Sequence, residues 1–124
     1  MSLILLVDDN AELRRTVGRM LTASGHEVLE AGNGNEAMRH LEGAAPALVI
    51  TDLIMPGKEG IETIIDIRRR GIVTKILAMT GSDPADKGIY LDAASKLGAD
   101  AVLRKPFRAA ELKAIVDRLL GDGL

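Results

Sequence analysis

The sequence predicts an α/β protein in which a parallel β-sheet carries helices on both faces. Short apolar runs of strand length alternate along the chain with longer segments in which apolar residues recur at helical spacing. The runs are apolar almost without interruption, as is typical of strands that are buried on both faces of a parallel sheet. Strands that alternate with helices in this way form right-handed βαβ units, which place helices on both sides of the sheet.

The alternation predicts a strand and a helix in turn along the whole chain. The predicted strands are residues 3–8, 26–31, 47–52, 74–80 and 100–104. The predicted helices are residues 11–24, 35–42, 59–70, a segment within 84–97, and 109–120. Asn10 is placed to cap the first helix, and Gly25 to end it. The apolar positions on the inward face of the first helix are Leu13, Val17, Met20 and Leu21, and those of the last are Leu112, Ile115, Val116 and Leu119.

Length and composition set further bounds. With 124 residues, we expect residues 1–124 to form a single domain. The formal net charge of -2, without a dominant basic patch, argues against direct binding to nucleic acid. The absence of cysteine excludes a disulfide framework and a thiolate metal site. No apolar run approaches the roughly 18 to 20 residues of a membrane helix and no leader precedes the first strand, so we expect a cytoplasmic protein without membrane insertion.

Polar residues stand at the ends of four predicted strands. Asp8 and Asp9 end the first strand, Asp52 ends the third, Thr80 ends the fourth and Lys105 follows the fifth. Because the carboxyl ends of parallel strands share one crevice, we expect these five side chains to meet there. Folding alone does not require three carboxylates, a hydroxyl and an ammonium in one place, whereas a site for phosphoryl transfer does.

The three carboxylates predict a divalent cation. Two carboxylates about 5 Å apart repel by roughly 3 kcal/mol at an effective dielectric of about 20, and Lys105 offers a single compensating charge. Hard oxygen ligands without a neighbouring histidine or cysteine favour Mg²⁺, with Mn²⁺ as a substitute. Asp8 and Asp9 are adjacent and placed to hold the metal, so Asp52 is the better candidate for a nucleophile that forms an aspartyl-phosphate.

These residues belong to four short motifs. The motifs are LLVDD at 5–9, TDLIMPGKEG at 51–60, MTG at 79–81 and KPF at 105–107. In this order and at these separations, they make the whole chain resemble the receiver domain of bacterial two-component response regulators, of the single-domain chemotaxis type. The resemblance implies a flavodoxin-like, doubly wound sheet of five parallel strands in the order 2-1-3-4-5, with five helices.

The resemblance also implies roles in phosphoryl transfer. Asp52 matches the phospho-acceptor of the family, and Lys105 matches the lysine that contacts the phosphoryl group. Thr80 matches the switch hydroxyl that moves in to bond a phosphoryl oxygen. In the family, the peptide bond that corresponds to the one between Lys105 and Pro106 is cis.

The metal ligands are implied in the same way. Asp9 matches the direct ligand, and Asp8 matches the ligand that usually acts through water. Asp52 and the backbone carbonyl of Ile54 match the remaining protein ligands.

The implied function is a phosphorylation-activated signalling switch that assists its own phosphorylation and dephosphorylation, and is not an enzyme that turns over a substrate. A sensor histidine kinase or a His-phosphotransfer protein would donate the phosphoryl group to Asp52. The added charge would change the surface of the fourth helix, fifth strand and fifth helix, which a downstream protein target would bind. We expect a monomer or a weak dimer.

Several alternatives remain open. The chain can be a receiver scaffold that works without phosphorylation, or a receiver fragment of a longer transcriptional regulator. A phosphatase of the haloacid dehalogenase type places two aspartates two positions apart after the first strand, whereas Asp8 and Asp9 are adjacent. A flavodoxin-like cofactor carrier requires a phosphate loop and stacking aromatic residues, and this chain has only Tyr90 and Phe107.

Some positions depart from the family pattern. Val102 stands where an aromatic side chain usually lies, so output by loop and helix movement is an alternative to a relay from Thr80, and Tyr90 is a candidate substitute. Residues 81–88 carry extra length that is either functional or a neutral insertion. Ile54 borders the route of attacking water in the family, so we predict that it slows loss of the phosphoryl group.

Other polar residues predict no function. His26 and His40 are isolated from the motifs, and we expect both at the surface. Arg68, Arg69 and Arg70 predict a solvated end of the third helix, where cations suit the negative end of the helix dipole.

Overall fold

The computed structural model describes residues 1–53, 60–81 and 89–121. Its strands are β1 (Leu3–Val7), β2 (Glu27–Ala31), β3 (Leu48–Asp52), β4 (Lys75–Thr80) and β5 (Ala101–Arg104). Its helices are α1 (Ala11–Ala23), α2 (Gly34–Gly43), α3 (Gly60–Arg69), α4 (Ile89–Leu97) and α5 (Ala109–Leu120). Every predicted element is present, and most boundaries differ from the prediction by a residue.

The strands form one parallel sheet in the order β2-β1-β3-β4-β5. This confirms both the fold class predicted from the alternation and the strand order implied by the resemblance. β1 pairs with β2 on one side and with β3 on the other, so the direction of winding reverses between β1 and β3. The carboxyl ends of the strands at such a reversal border a crevice, which is where ligands bind in open α/β sheets.

Helices cover both faces of the sheet. Alternate strand residues such as Leu6 and Met79 pack against α1 and α5 on one face. The residues between them, such as Val49 and Ala78, pack against α2, α3 and α4 on the other. Burial on both faces is the physical reason for the uninterrupted apolar runs in the sequence. Among the described residues, no helix combines the length and the apolar character needed to cross a bilayer.

The prediction that His26 lies at the surface is wrong. After Gly25, which adopts a left-handed conformation, the chain folds back beneath the end of α1, and the amide of His26 donates to the Leu21 carbonyl at 3.2 Å. The side chain of His26 is thereby buried, with 6% of the residue exposed. Nδ1 of the ring accepts a hydrogen bond of 3.2 Å from the amide of Ser2, which supplies the polar partner that a buried imidazole needs. His40 is only partly buried, near the prediction.

Arg68 also departs from its prediction as a solvated helix end. Its Nη1 donates to the carbonyl of Thr74 at 2.8 Å, and its Nε and Nη2 both donate to the carbonyl of Gly98. Nη2 further pairs at 2.9 Å with Oδ2 of Asp100, which also accepts from the amide of Ile76 at 2.8 Å. We call Arg68, Asp100 and these main-chain groups the amino-edge cluster, because they lie where β4 and β5 begin. The two arginines that follow are exposed, as predicted.

Candidate functional site

The carboxyl edge of the sheet brings the predicted site residues together. Asp8 directly follows β1, Asp52 and Thr80 are the last residues of β3 and β4, and Lys105 directly follows β5. Asp8 and Thr80 are each 1% exposed, and Asp52 is also buried. Asp9 is exposed beside them. The site is therefore a set of buried polar groups that opens to solvent on the Asp9 side.

Lys105 lies between two carboxylates. Its Nζ is 3.2 Å from Oδ2 of Asp8 and 3.3 Å from Oδ2 of Asp52. The main chain holds the lysine in place, because its amide donates to the carbonyl of Thr80 at 2.7 Å. The peptide bond between Lys105 and Pro106 is cis, in agreement with the resemblance.

Three carboxylates form a compact group of oxygens. One carboxylate oxygen from each of Asp8, Asp9 and Asp52 lies within 4.8 Å of the others. When all three are ionised, the single ammonium of Lys105 leaves an excess of two negative charges. Hard oxygen donors that carry negative charge suit Mg²⁺, which binds proteins through one or two carboxylates and keeps several waters. Receiver domains bind Mg²⁺ at an acidic pocket of this kind.

Asp8 is held by short hydrogen bonds to neighbouring elements. Its amide donates to the carbonyl of Ala31 at 3.0 Å, which ties the end of β1 to the end of β2. Its Oδ1 accepts a hydrogen bond of 2.9 Å from the amide of Asn10. Asn10 also caps α1, since its Oδ1 accepts from the amide of Leu13 at 3.1 Å, as predicted. Oδ2 of Asp8 remains for Lys105 and for a cation.

The environment of Asp52 makes its carboxyl harder to ionise than an exposed one. Burial raises the pKa of Asp52 above its ordinary value, the ammonium of Lys105 lowers it, and the neighbouring charge of Asp8 raises it again; the net direction is upward. Desolvation of the carboxylate therefore outweighs the attraction of the lysine. A divalent cation would reverse this balance by stabilising the ionised form.

Gly60 allows α3 to start against the end of β3. Its amide donates to the carbonyl of Leu53 at 3.1 Å, which places the helix start directly beside Asp52. A Cβ atom on Gly60 would overlap the carbonyl oxygen of Asp52 and would lie 2.7 Å from Cα of Leu53. This close approach requires glycine for steric reasons.

Thr80 is buried, and its hydroxyl has no hydrogen-bond partner among the main-chain groups and side chains that the structure describes. Val102, which replaces the expected aromatic residue, is partly buried against the core on the α2–α4 side of the sheet. Ile54, residues 82–88 and the side chain of Tyr90 lie outside what the structure describes, so the predictions for them stay predictions.

Sequence reasoning missed Arg14 in α1. Its Nη1 donates to the main-chain carbonyl of Asp8 at 2.6 Å, and its Nε pairs with Oε1 of Glu30 at 2.9 Å. An arginine on an amphipathic helix is ordinarily a solvated residue, so the sequence carried no signal for this contact.

Comparison with known proteins places the chain in a family. The model of the response regulator receiver domain matches residues 4–117. The chain is 37% identical over 120 residues to a CpxR homolog of Haemophilus influenzae, which is described as a transcriptional regulatory protein. The aligned region covers 97% of this chain and 51% of that protein. It is 34% identical over 118 residues to PhoP of Bacillus subtilis, the alkaline phosphatase synthesis transcriptional regulatory protein. That aligned region covers 94% of this chain and 48% of that protein. The chain thus spans about half the length of the curated relatives it matches.

Solved structures agree with the observed fold. The chemotaxis response regulator CheY4 of Vibrio cholerae superposes with a TM-score of 0.85 at 28% identity, over 96% of this chain and 98% of that one. A putative response regulator from Chloroflexus aurantiacus gives the same TM-score at 27% identity, over 97% of this chain and 98% of that one. With the family model matching most of its length, the chain belongs to the receiver domain family of two-component response regulators.

Proposed function

We propose that this receiver domain is a phosphorylation switch that accepts a phosphoryl group on Asp52, with Mg²⁺ held at Asp8, Asp9 and Asp52. The observation that carries the proposal is the position of Lys105. Its ammonium lies within 3.3 Å of both Asp8 and Asp52, two members of a group of three carboxylates whose charge it only partly neutralises. A purely structural ion pair needs one carboxylate for each lysine. Here two further carboxylates have no compensating charge from Lys105, and a bound cation would supply it.

The donor set fits Mg²⁺, with Mn²⁺ as a substitute. Mg²⁺ binds through one or two carboxylates and keeps several waters, so it does not need a closed cage of protein ligands. Asp8 is held rigidly and Asp9 is exposed, which suits one ligand acting through water and one acting directly. The backbone carbonyl of Ile54 is a further ligand in this proposal, carried over from the resemblance. Bound Mg²⁺ supplies positive charge that neutralises the carboxylates and the oxygens of an incoming phosphoryl group.

In the proposed transfer, an ionised carboxylate oxygen of Asp52 attacks the phosphorus of a phosphohistidine. A phosphorus–oxygen bond forms as the phosphorus–nitrogen bond breaks, and the imidazole leaves with the electron pair. Lys105 shifts its ammonium from the carboxylate to a phosphoryl oxygen, so that charge is compensated before and after the step. The donor is a sensor histidine kinase or a His-phosphotransfer protein.

The signal leaves the site through Thr80 in this proposal. Its hydroxyl is buried, and among the described residues no side chain or main-chain group satisfies it, so a phosphoryl oxygen on Asp52 offers it an acceptor. Movement of Thr80 would shift α4, β5 and α5, the surface that we propose a downstream protein binds. Residues 1–124 then act in the cytoplasm as one domain, a monomer or weak dimer without direct nucleic-acid contact.

A second candidate is a receiver domain that belongs to a longer transcriptional regulator. The observation in its favour is the length of the curated relatives, of which this chain spans about half, together with their description as transcriptional regulatory proteins. In that case the downstream target is a covalently attached domain. The chemistry proposed for Asp52 is the same in both candidates.

The experiment is an intact-mass measurement after incubation with MgCl₂ and acetyl phosphate. We expect one added phosphoryl group on the wild-type chain and none on Asp52→Asn. The matched control is Asp100→Asn, a carboxylate at the opposite edge of the sheet, which should label like the wild type. Labelling of Asp52→Asn, or equal loss in both variants, would contradict the assignment of Asp52. A chain that binds Mg²⁺ without labelling would instead support a phosphorylation-independent scaffold.

A further inference from the structure

We infer that Arg14, paired with Glu30, is a positioning residue that sets the Mg²⁺ affinity of the site by fixing the peptide unit between Asp8 and Asp9. The inference rests on the proposed metal-binding function and adds to it a residue from outside the motifs. It starts from the hydrogen bond of 2.6 Å between Nη1 of Arg14 and the carbonyl oxygen of Asp8.

The peptide bond transmits this contact to both carboxylates. A peptide unit is planar, so the carbonyl of Asp8 lies in one rigid plane with the Cα atoms of Asp8 and Asp9. β1 ends at Val7, and beyond it the direction of this plane is set by local contacts. The amide of Asp8 is already bound to Ala31, and the guanidinium now fixes the carbonyl side as well. Both carboxylates therefore project from a main chain whose orientation Arg14 controls.

Glu30 holds the guanidinium in the required direction. Its Oε1 accepts a hydrogen bond of 2.9 Å from Nε of Arg14, while Nη1 of the same guanidinium donates to Asp8. Because the guanidinium is planar and rigid, the bond to Glu30 also fixes the direction of Nη1. The guanidinium also lies against Gly32, where a Cβ atom would be 3.6 Å from Nη1. The side chain of Arg14 is 19% exposed and that of Glu30 is 43% exposed, and the hydrogen bond to Asp8 is partly buried.

The charge of Arg14 has the opposite effect to its position. A cation near the site repels Mg²⁺, so its removal should tighten metal binding if charge alone mattered. Loss of the hydrogen bond frees the peptide unit and should weaken binding, because groups that orient metal ligands typically contribute about 10-fold to 100-fold in affinity. The sign of the change therefore separates positioning from electrostatics.

The test is a titration of the full chain with MgCl₂ alone at constant ionic strength, followed by amide chemical shifts. We expect Arg14→Ala to bind Mg²⁺ about 10-fold more weakly than the wild type. Arg14→Lys keeps the charge but loses the planar guanidinium, so its Mg²⁺ affinity should lie between those of the wild type and Arg14→Ala. The matched control is Arg15→Ala, which removes an exposed arginine from the same helix and should leave affinity unchanged or slightly higher.

The outcomes separate the two claims. Equal affinities for Arg14→Ala and Arg15→Ala would overturn the role of Arg14 while leaving the metal site intact. A wild-type chain that does not bind Mg²⁺ would overturn the proposed function itself, and this inference with it. The amide spectrum reports whether Arg14→Ala folds; if it does not, Arg14→Lys decides, and wild-type affinity in that variant would overturn the inference.

Discussion

The two edges of the sheet each place a cation beside carboxylates, with opposite balances. At the amino edge, one guanidinium pairs with one carboxylate. Arg68 and Asp100 also form hydrogen bonds of 2.8 to 3.1 Å with main-chain groups. At the carboxyl edge, one ammonium pairs with two members of a group of three carboxylates, and the hydroxyl of Thr80 has no hydrogen-bond partner among the residues described.

The difference indicates which edge is structural and which is functional. Groups that satisfy each other stabilise the fold and need nothing further. Groups left with excess charge cost stability, and such costs are retained where a ligand removes them. The amino-edge cluster therefore joins the ends of α3 and α4 to the starts of β4 and β5. The carboxyl edge is the one that we propose a cation and a phosphoryl group complete.

The largest effect on stability is expected for Gly60→Ala at the carboxyl edge. The added Cβ overlaps the carbonyl of Asp52, so α3 and the end of β3 must separate. We expect a loss of about 3 kcal/mol in the free energy of unfolding, measured by urea denaturation. Gly43→Ala is the control, because nothing lies within 4 Å of its Cβ position and the substitution should be neutral or slightly stabilising. Equal effects of the two substitutions would contradict the close packing at Asp52.

Arg68→Ala should lower the free energy of unfolding somewhat less than Gly60→Ala. It removes the side-chain donor to the carbonyls of Gly98 and Thr74, and Asp100 keeps the amide of Ile76. We expect a loss of about 2 kcal/mol in the free energy of unfolding. Arg69→Ala removes an exposed arginine from the same helix and should change stability by less than about 0.5 kcal/mol. Mg²⁺ should stabilise Arg68→Ala and the wild type by the same increment, so the difference in stability between them should persist. A difference that Mg²⁺ removes would contradict the separation of the two edges.

Lys105→Met tests the carboxyl edge by removing its cation. Asp8 and Asp52 would then repel each other in a buried place, so we expect a loss of about 2 kcal/mol in EDTA. Added Mg²⁺ should recover much of that loss. Lys113→Met is the control, because Lys113 and Asp117 form an exposed ion pair of 2.7 Å that should contribute less than about 0.5 kcal/mol. If Mg²⁺ leaves the loss unchanged, the carboxylates do not bind the metal as proposed.

Asp52→Asn should give the smallest change in stability, and this change should be an increase. The folded-state pKa of Asp52 lies above its unfolded value of 3.8, so the protonated form favours the folded state. Its stabilising contribution is full below the unfolded value and is lost as pH rises through the raised pKa. In EDTA at neutral pH, Asp52→Asn should therefore melt above the wild type, and the difference should vanish in acid. A less stable variant at neutral pH would mean that the attraction of Lys105 outweighs burial.

The sequence contained most of the fold because each level of the pattern agreed. Continuous apolar runs, helical spacing and the caps at Asn10 and Gly25 all pointed to the same elements. The strand order came from the resemblance, since periodicity describes elements and not their neighbours. The meeting of Asp8, Asp52 and Lys105 followed from the general rule that parallel strands share a carboxyl edge.

What the sequence could not supply were contacts between distant side chains and main-chain groups. Arg14 and Arg68 both look like ordinary helix-surface arginines, and their roles depend on carbonyls that the fold brings within 3 Å. The burial of His26 has no signal in the sequence either, because it follows from the way the chain folds back beneath α1, where the amide of Ser2 supplies the hydrogen bond of the ring. Such partners have no fixed spacing in sequence.

The most direct test of the contrast between the edges is the melting temperature as a function of Mg²⁺ at constant ionic strength, for the wild type, Asp9→Asn and Arg68→Ala. Asp9 is exposed, so its substitution removes a ligand without disturbing the core. We predict that the wild type and Arg68→Ala gain the same increment, about 1.4 kcal/mol at ten times the dissociation constant, while Asp9→Asn gains almost none. Equal increments in all three proteins, or none in any, would contradict a metal site at the carboxyl edge.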